Sequence, residues 1–157
     1  MKKDLPNKLV TGILLFGFII TGLVDLLVHS KTSYSSIMGM DTDRVYFYTF
    51  FLLAIGCYLL YHKWFVGIGF ICLATFSSYF TEYISLHNYF ASIAVYIGII
   101  IDFSIRKKMK WLIPLVIIGL LQGLAFQTGW FDYYMVGFME FLGLSVGSVF
   151  ILKAMQR

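Results

Sequence analysis

A chain of 157 residues leaves room for one domain, and its 60 % hydrophobic, 19 % aromatic and 13 % charged residues lie far from the balance of a soluble domain. The apolar residues fall in repeated blocks of about 20, the length that crosses roughly 30 Å of hydrocarbon as a helix. The formal net charge of +4 is confined to short links between those blocks, which excludes a nucleic-acid-binding stripe and makes the basic residues reporters of topology.

The first block follows Lys2, Lys3 and Lys8, as a signal peptide would. It is too long for the apolar region of one, and no small-residue cleavage site follows His29, so a retained first helix is expected. The spans expected along the chain are 9–29, 45–61, 64–83, 88–104, 111–129 and 133–152. The fold class this predicts is all-α: a single integral membrane domain over 1–157, built as a six-transmembrane-helix bundle. All connections are short except 30–44, a polar stretch, so sequence neighbours are expected to pack antiparallel. No internal repeat is visible, which removes support for an inverted-repeat transporter.

Six spans place both termini on one side of the membrane. Lys2, Lys3, Lys8, Lys63, Arg106, Lys107, Lys108, Lys110, Lys153 and Arg157 then share that side, and only Lys31 and Arg44 face the other. Cytoplasmic loops hold the excess of positive charge, so a bacterial cytoplasmic membrane with both termini cytoplasmic is the expected location. Trp64, Tyr83, Trp111, Trp130, Tyr133 and Tyr134 stand at span ends, where interfacial aromatics belong.

The glycines read as packing devices. Gly12, Gly17 and Gly22 in the first span, and Gly143 and Gly147 in the last, are expected to let helices approach closely, the last pair as a small-xxx-small motif able to meet a partner helix. Pro114 falls in the first turn of its helix, where a missing N–H costs little. Cys57 and Cys72 both lie inside apolar runs and behave as small hydrophobes, so no disulfide framework is expected.

With that topology the polar residues gather in the outer half. Thr21, Asp25 and His29 are spaced four apart on one face of the first helix. Ser78 and Glu82 repeat the spacing near the outer end of the third, and His87 and Asn88 open the fourth, with Ser92 a turn below. Gln122 in the fifth helix and Glu140 in the sixth each lie about 10 Å below the outer end. An ionisable group that deep costs about 2.5–3.5 kcal/mol on insertion scales. Asp25 and Glu140 are therefore expected to face the interior, either as a structural contact or as part of a hydrophilic cavity. The inner half holds little beyond Asp102, four residues before Arg106 and placed for a helical ion pair.

No metalloprotease, thiol-redox, nucleophile-elbow or phosphate-loop motif is present. His29, His87, Glu82 and Glu140 are donors that zinc accepts, but their spacing does not demand a metal. A bis-histidine haem would need His29 and His87 to face one another. No cofactor is expected.

Three short features resemble the DRAM/Frag/Sfk-type six-helix membrane proteins and an allied group of bacterial six-helix proteins. They are the first-loop segment Tyr34-Ser35-Ser36-Ile37-Met38-Gly39, the histidine opening the fourth helix in His87-Asn88-Tyr89-Phe90-Ala91, and the glutamate of the last helix in Phe138-Met139-Glu140-Phe141. Phe141 stands where a tryptophan often follows in that pattern. The resemblance covers most of the chain through short motifs and implies a role in lipid remodelling or membrane regulation.

Three functions fit these residues. In the first, an outer-leaflet cavity binds or processes a lipid or lipid-linked substrate. His87 is then general acid or base, Glu82 or Glu140 orients it, and Asp25, His29, Ser78, Asn88 and Gln122 line the cavity; a histidine–carboxylate pair suits proton transfer near neutral pH. Membrane lipids are the expected partners, and nucleic acid is not. In the second, the chain is a non-catalytic scaffold or accessory subunit, with Gly143 and Gly147 meeting a partner helix. In the third, Asp25, Gln122 and Glu140 line a proton-coupled path. Glu82, His87 and Glu140 are expected in one outer site only if the sixth helix packs beside the hairpin of the third and fourth.

Overall fold

The computed structural model describes residues 4–29, 45–76, 86, 92–128 and 133–155. Among them it shows six α-helices: α1 (Asp4–His29), α2 (Val45–Tyr61), α3 (Val66–Thr75), α4 (Ser92–Ile105), α5 (Leu112–Thr128) and α6 (Tyr133–Ala154). A single 3-10 turn, Met109–Trp111, precedes α5. The described residues contain no strand.

The expected span 45–61 coincides with α2. Helix α1 starts five residues earlier than expected, at Asp4, and so includes Pro6 in its first turn, where proline has no helical hydrogen bond to forfeit. Helix α6 runs two residues beyond the expected end, to Ala154. The described parts of the third and fourth spans are α3 and α4; the stretch that separates them, including Ser78, Glu82, His87 and Asn88, lies outside the described residues apart from Leu86. Among the described residues, α1 is the one helix long and apolar enough, by length and composition, to cross a membrane, over Asn7–Val24; shorter apolar helical stretches are Tyr48–Tyr61, Val66–Thr75, Ile93–Ile105 and Met109–Leu124.

The chain divides into two compact units, Met1–Ile37 with Ile113–Arg157, and Met38–Leu112. In the second, α2, α3 and α4 run antiparallel in sequence order, and glycines let them touch backbone to backbone. A Cβ on Gly56 would stand 2.8 Å from the Gly67 carbonyl oxygen, and one on Gly67 would stand 2.5 Å from that of Gly56. The α3–α4 contact repeats the device: a Cβ on Gly69 would lie 2.5 Å from Val95 Cα, and one on Gly98 would lie 2.6 Å from Val66 Cα. No side chain fits at these crossings. Tyr48, Leu52, Ile55 and Leu59, one face of α2, are buried, as are Val66, Phe70 and Ala74 of α3.

The first unit holds α1, α5 and α6, and its contacts are looser. A Cβ on Gly12 would meet Leu152 at 4.0 Å, one on Gly143 would meet Ile118 at 3.5 Å, and one on Gly147 would meet Leu115 at 3.9 Å. These are ordinary van der Waals separations. The close approach expected at Gly12, Gly143 and Gly147 therefore occurs instead at Gly56, Gly67, Gly69 and Gly98. The reason is what faces each glycine: large leucine and isoleucine side chains hold the helices of the first unit apart.

Candidate functional site

Two constellations of polar side chains are described, one in each unit. The first begins from a helix start that its own sequence leaves uncapped. The residues before α3 are Trp64 and Phe65, and no local side chain caps it. A helix N-terminus leaves four N–H groups without partners in the helix. The last two, Gly67 and Ile68, donate to the carbonyls of Trp64 (3.1 Å) and Phe65 (2.9 Å). The first two are taken by a carboxylate from another helix: Phe65 N donates to Asp102 Oδ1 at 2.9 Å and Val66 N donates to Asp102 Oδ2 at 2.8 Å. Asp102 of α4 is 0 % exposed, so a buried charge and an uncapped helix start satisfy each other.

Arg106 completes the clasp. It donates from one guanidinium nitrogen to Asp102 Oδ1 at 3.0 Å and from the other to the Lys63 carbonyl at 3.0 Å, and it lies 3.7 Å from the centre of the Trp64 ring. The ion pair expected from the i, i+4 spacing is present. What the spacing did not reveal is that the pair bolts α4 to the α2–α3 turn. Two signals were available: an aspartate in an apolar helix, and a helix start at Trp64-Phe65 with no capping residue.

The turns flanking this clasp share one geometry. Lys63 and Lys107 sit in the left-handed region, at φ 62° and 55°. Lys63 N donates to Leu60 O and Trp64 N to Leu59 O; Lys107 N donates to Ser104 O and Lys108 N to Phe103 O. Both are Schellman terminations, with lysine in the position that glycine usually takes. The ends of α2 and α4 are thus held together by Arg106 and both finish in a lysine.

The second constellation lies in the first unit. Gln122 Nε2 of α5 donates to Glu140 Oε1 of α6 at 3.3 Å. The antiparallel α5–α6 register, with Ile118 opposite Gly143 and Leu115 opposite Gly147, puts the two residues level. Helix α1 also runs antiparallel to α6: Thr11 Oγ1 donates to Met155 Sδ at 3.4 Å, and Gly12 faces Leu152. Continued along both helices, that register brings position 25 of α1 level with position 140 of α6. Gln122 and Glu140 thus occupy one level of the unit, far from the end that carries Lys8 and Lys153.

Of the other residues expected in the site, the side chains of Asp25 and His29 lie outside the described residues, as do Ser78, Glu82, His87 and Asn88. Thr21 Oγ1 donates back to Gly17 O at 2.7 Å, the bond a helical threonine commonly makes. Gly143 and Gly147 turn toward Ile118 and Leu115 of their own chain. Among the described residues no group of three or more His, Cys, Asp and Glu side chains is placed to hold a metal.

No protein-family model matches this chain, and no curated protein or solved structure shows significant similarity to it.

Proposed function

We propose that the chain is an integral membrane protein of six spans with both termini cytoplasmic, and that its outer half offers a polar site for the head group of a lipid or lipid-linked substrate. The observation that carries the site is the Gln122–Glu140 hydrogen bond between two helices; the antiparallel α1–α6 register, extended from Thr11 and Gly12, adds position 25 to that level. A carboxylate two helical turns inside hydrocarbon needs a partner on another helix, and Glu140 has one in Gln122.

The surface supports the membrane reading. Helix α1 exposes Leu9, Ile13, Ile20, Val24, Leu27 and Val28, with Ile13 62 % and Val28 68 % open. Helix α4 exposes Ile93, Ile97, Ile100, Ile101 and Ile105, and α5 exposes Ile113, Val116, Ile117, Leu120, Leu121 and Leu124. Water does not tolerate continuous apolar faces of this extent, and lipid tails do. Only 28 % of the Asn7–Val24 window is buried, which supports a lipid-facing helix over the core helix of a soluble protein.

In the catalytic form of this reading His87 is the general acid or base and Glu82 orients it. Transport is disfavoured because Asp102, a buried carboxylate that a proton path could use, is engaged by Phe65, Val66 and Arg106. The scaffold reading keeps one observation on its side: Asp102 and Thr11, both buried, make structural hydrogen bonds.

Cysteines introduced at Ser35 and Thr128 should label with an impermeant thiol reagent from outside intact cells, and one at Lys108 should not; the reverse pattern overturns the orientation. Lipid co-purifying with the detergent-extracted protein, identified by mass spectrometry, tests the site. Asp25→Asn and Glu140→Gln should each lose it while expression and melting temperature stay near wild type. Retention of the same lipid by both variants removes the site, and failure of both to fold replaces it with the scaffold.

A further inference from the structure

The basic end of the Met38–Leu112 unit carries charge that the clasp does not use. Among the described residues, Lys63, Arg106, Lys107, Lys108 and Lys110 meet one carboxylate there, Asp102, which is buried and already bound to Arg106. Lys63, Lys107 and Lys110 are exposed, and Lys108 Nζ stands 4.9 Å from the centre of the Trp111 ring. The Arg106 bond to the Lys63 carbonyl fixes the two left-handed turns side by side, so the backbones of Lys63 and Lys107 are neighbours.

We propose that this end binds the head group of an anionic phospholipid, its phosphate between Lys63 and Lys107 and its chains on the apolar surface beside them. Three observations select that occupant. Among the described residues the local charge balance leaves four lysines without a carboxylate partner, and these attract an anionic lipid surface. Directly beside them Phe65, Ile68, Ile101, Ile105 and Met109 are exposed apolar side chains, so the complementary ligand is an amphiphile and not a free phosphate or a nucleic acid. Finally, lysine is kept at two left-handed positions where glycine carries no strain, which places charge at this end against a conformational cost. The inference rests on the membrane reading above but concerns the Met38–Leu112 unit and none of the residues of the Gln122–Glu140 pair.

The test uses the full chain in bilayers of phosphatidylcholine with brominated phosphatidylglycerol or brominated phosphatidylcholine, reading quenching of Trp64 and Trp111 in a Trp130→Phe background. Failure to incorporate into the bilayer defeats the membrane reading itself. In an incorporated protein, brominated phosphatidylglycerol should quench more strongly, giving a relative binding constant well above one. Lys63→Asn with Lys107→Asn, which keeps the left-handed turns while removing both charges, should lower that constant by roughly five- to twenty-five-fold, at about five-fold per lysine. Lys8→Gln with Lys153→Gln removes as much charge from the other unit and should leave the constant unchanged. Millimolar inorganic phosphate should not compete. Equal losses in the two double variants, or a constant of one in the incorporated wild type, overturn the proposal. Lys63→Gly with Lys107→Gly gives the same reading should the asparagine pair not fold.

Discussion

The two units join antiparallel helices by opposite means. In Met38–Leu112 the backbones of α2, α3 and α4 touch through Gly56, Gly67, Gly69 and Gly98, and a buried carboxylate bolts one helix to the start of another. In the unit formed by α1, α5 and α6, side chains keep the backbones apart and the polar link is an amide–carboxylate hydrogen bond at 3.3 Å. The glycine spacing of a sequence does not distinguish the two. Gly143 and Gly147 have the spacing of a close-contact motif and face Ile118 and Leu115; Gly56 and Gly67 lie on different helices and face each other. Close approach depends on both surfaces being small.

The contrast between the units is largest at Asp102. Asp102→Ala leaves the Phe65 and Val66 N–H groups and the Arg106 guanidinium without their acceptor and should destabilise the protein by about 3–5 kcal/mol. Reversible unfolding in mixed micelles measures it. Glu140→Gln, which removes the charge from the looser unit's pair, should cost about 1 kcal/mol or less in the same assay. Equal losses would mean that the two polar links are energetically alike.

Glycine substitutions come next in size. Gly69→Ala and Gly98→Ala place a methyl against the backbones of Val95 and Val66 and should each cost about 1–3 kcal/mol. Gly143→Ala meets only Ile118 Cγ2 at 3.5 Å, and Gly123→Ala meets nothing within 4 Å. Those two should be neutral or should stabilise by up to about 1 kcal/mol through helix propensity. Thermal unfolding of the four single variants ranks them, and a ranking that mixes the two pairs would erase the distinction between tight and loose packing.

The smallest expected effect is at the two left-handed lysines. Lys63→Gly and Lys107→Gly relieve a backbone conformation that disfavours a side chain, and each should stabilise by about 0.5–1 kcal/mol. A loss of stability at either position would show that the lysine side chain contributes more to its helix end than the strain costs.

Much of the helical framework was legible from the chain. The apolar block 45–61 is α2 to the residue, because runs of leucine, isoleucine and phenylalanine bounded by polar links leave few other places for a helix to begin or end. The level pairing of Gln122 with Glu140 was also within reach, since a short link forces α5 and α6 antiparallel and counting from that link sets the depth of each residue. The Asp102 clasp was not. Its partners are backbone N–H groups 36 and 37 residues away, and the uncapped start at Trp64-Phe65 does not say which distant carboxylate reaches it.

Local chemistry in the sequence determined the six helices, the Arg106–Asp102 pair four residues apart and the gathering of basic residues in the short links, because each depends on neighbours within a turn or on the polarity of a block. The tertiary structure alone decided which glycines are indispensable, which helix start receives the buried carboxylate, and that Lys63 and Lys107 stand together at one end. Those outcomes depend on which helix faces face each other, and facing is a property of packed surfaces, which spacing along one strand of sequence does not encode.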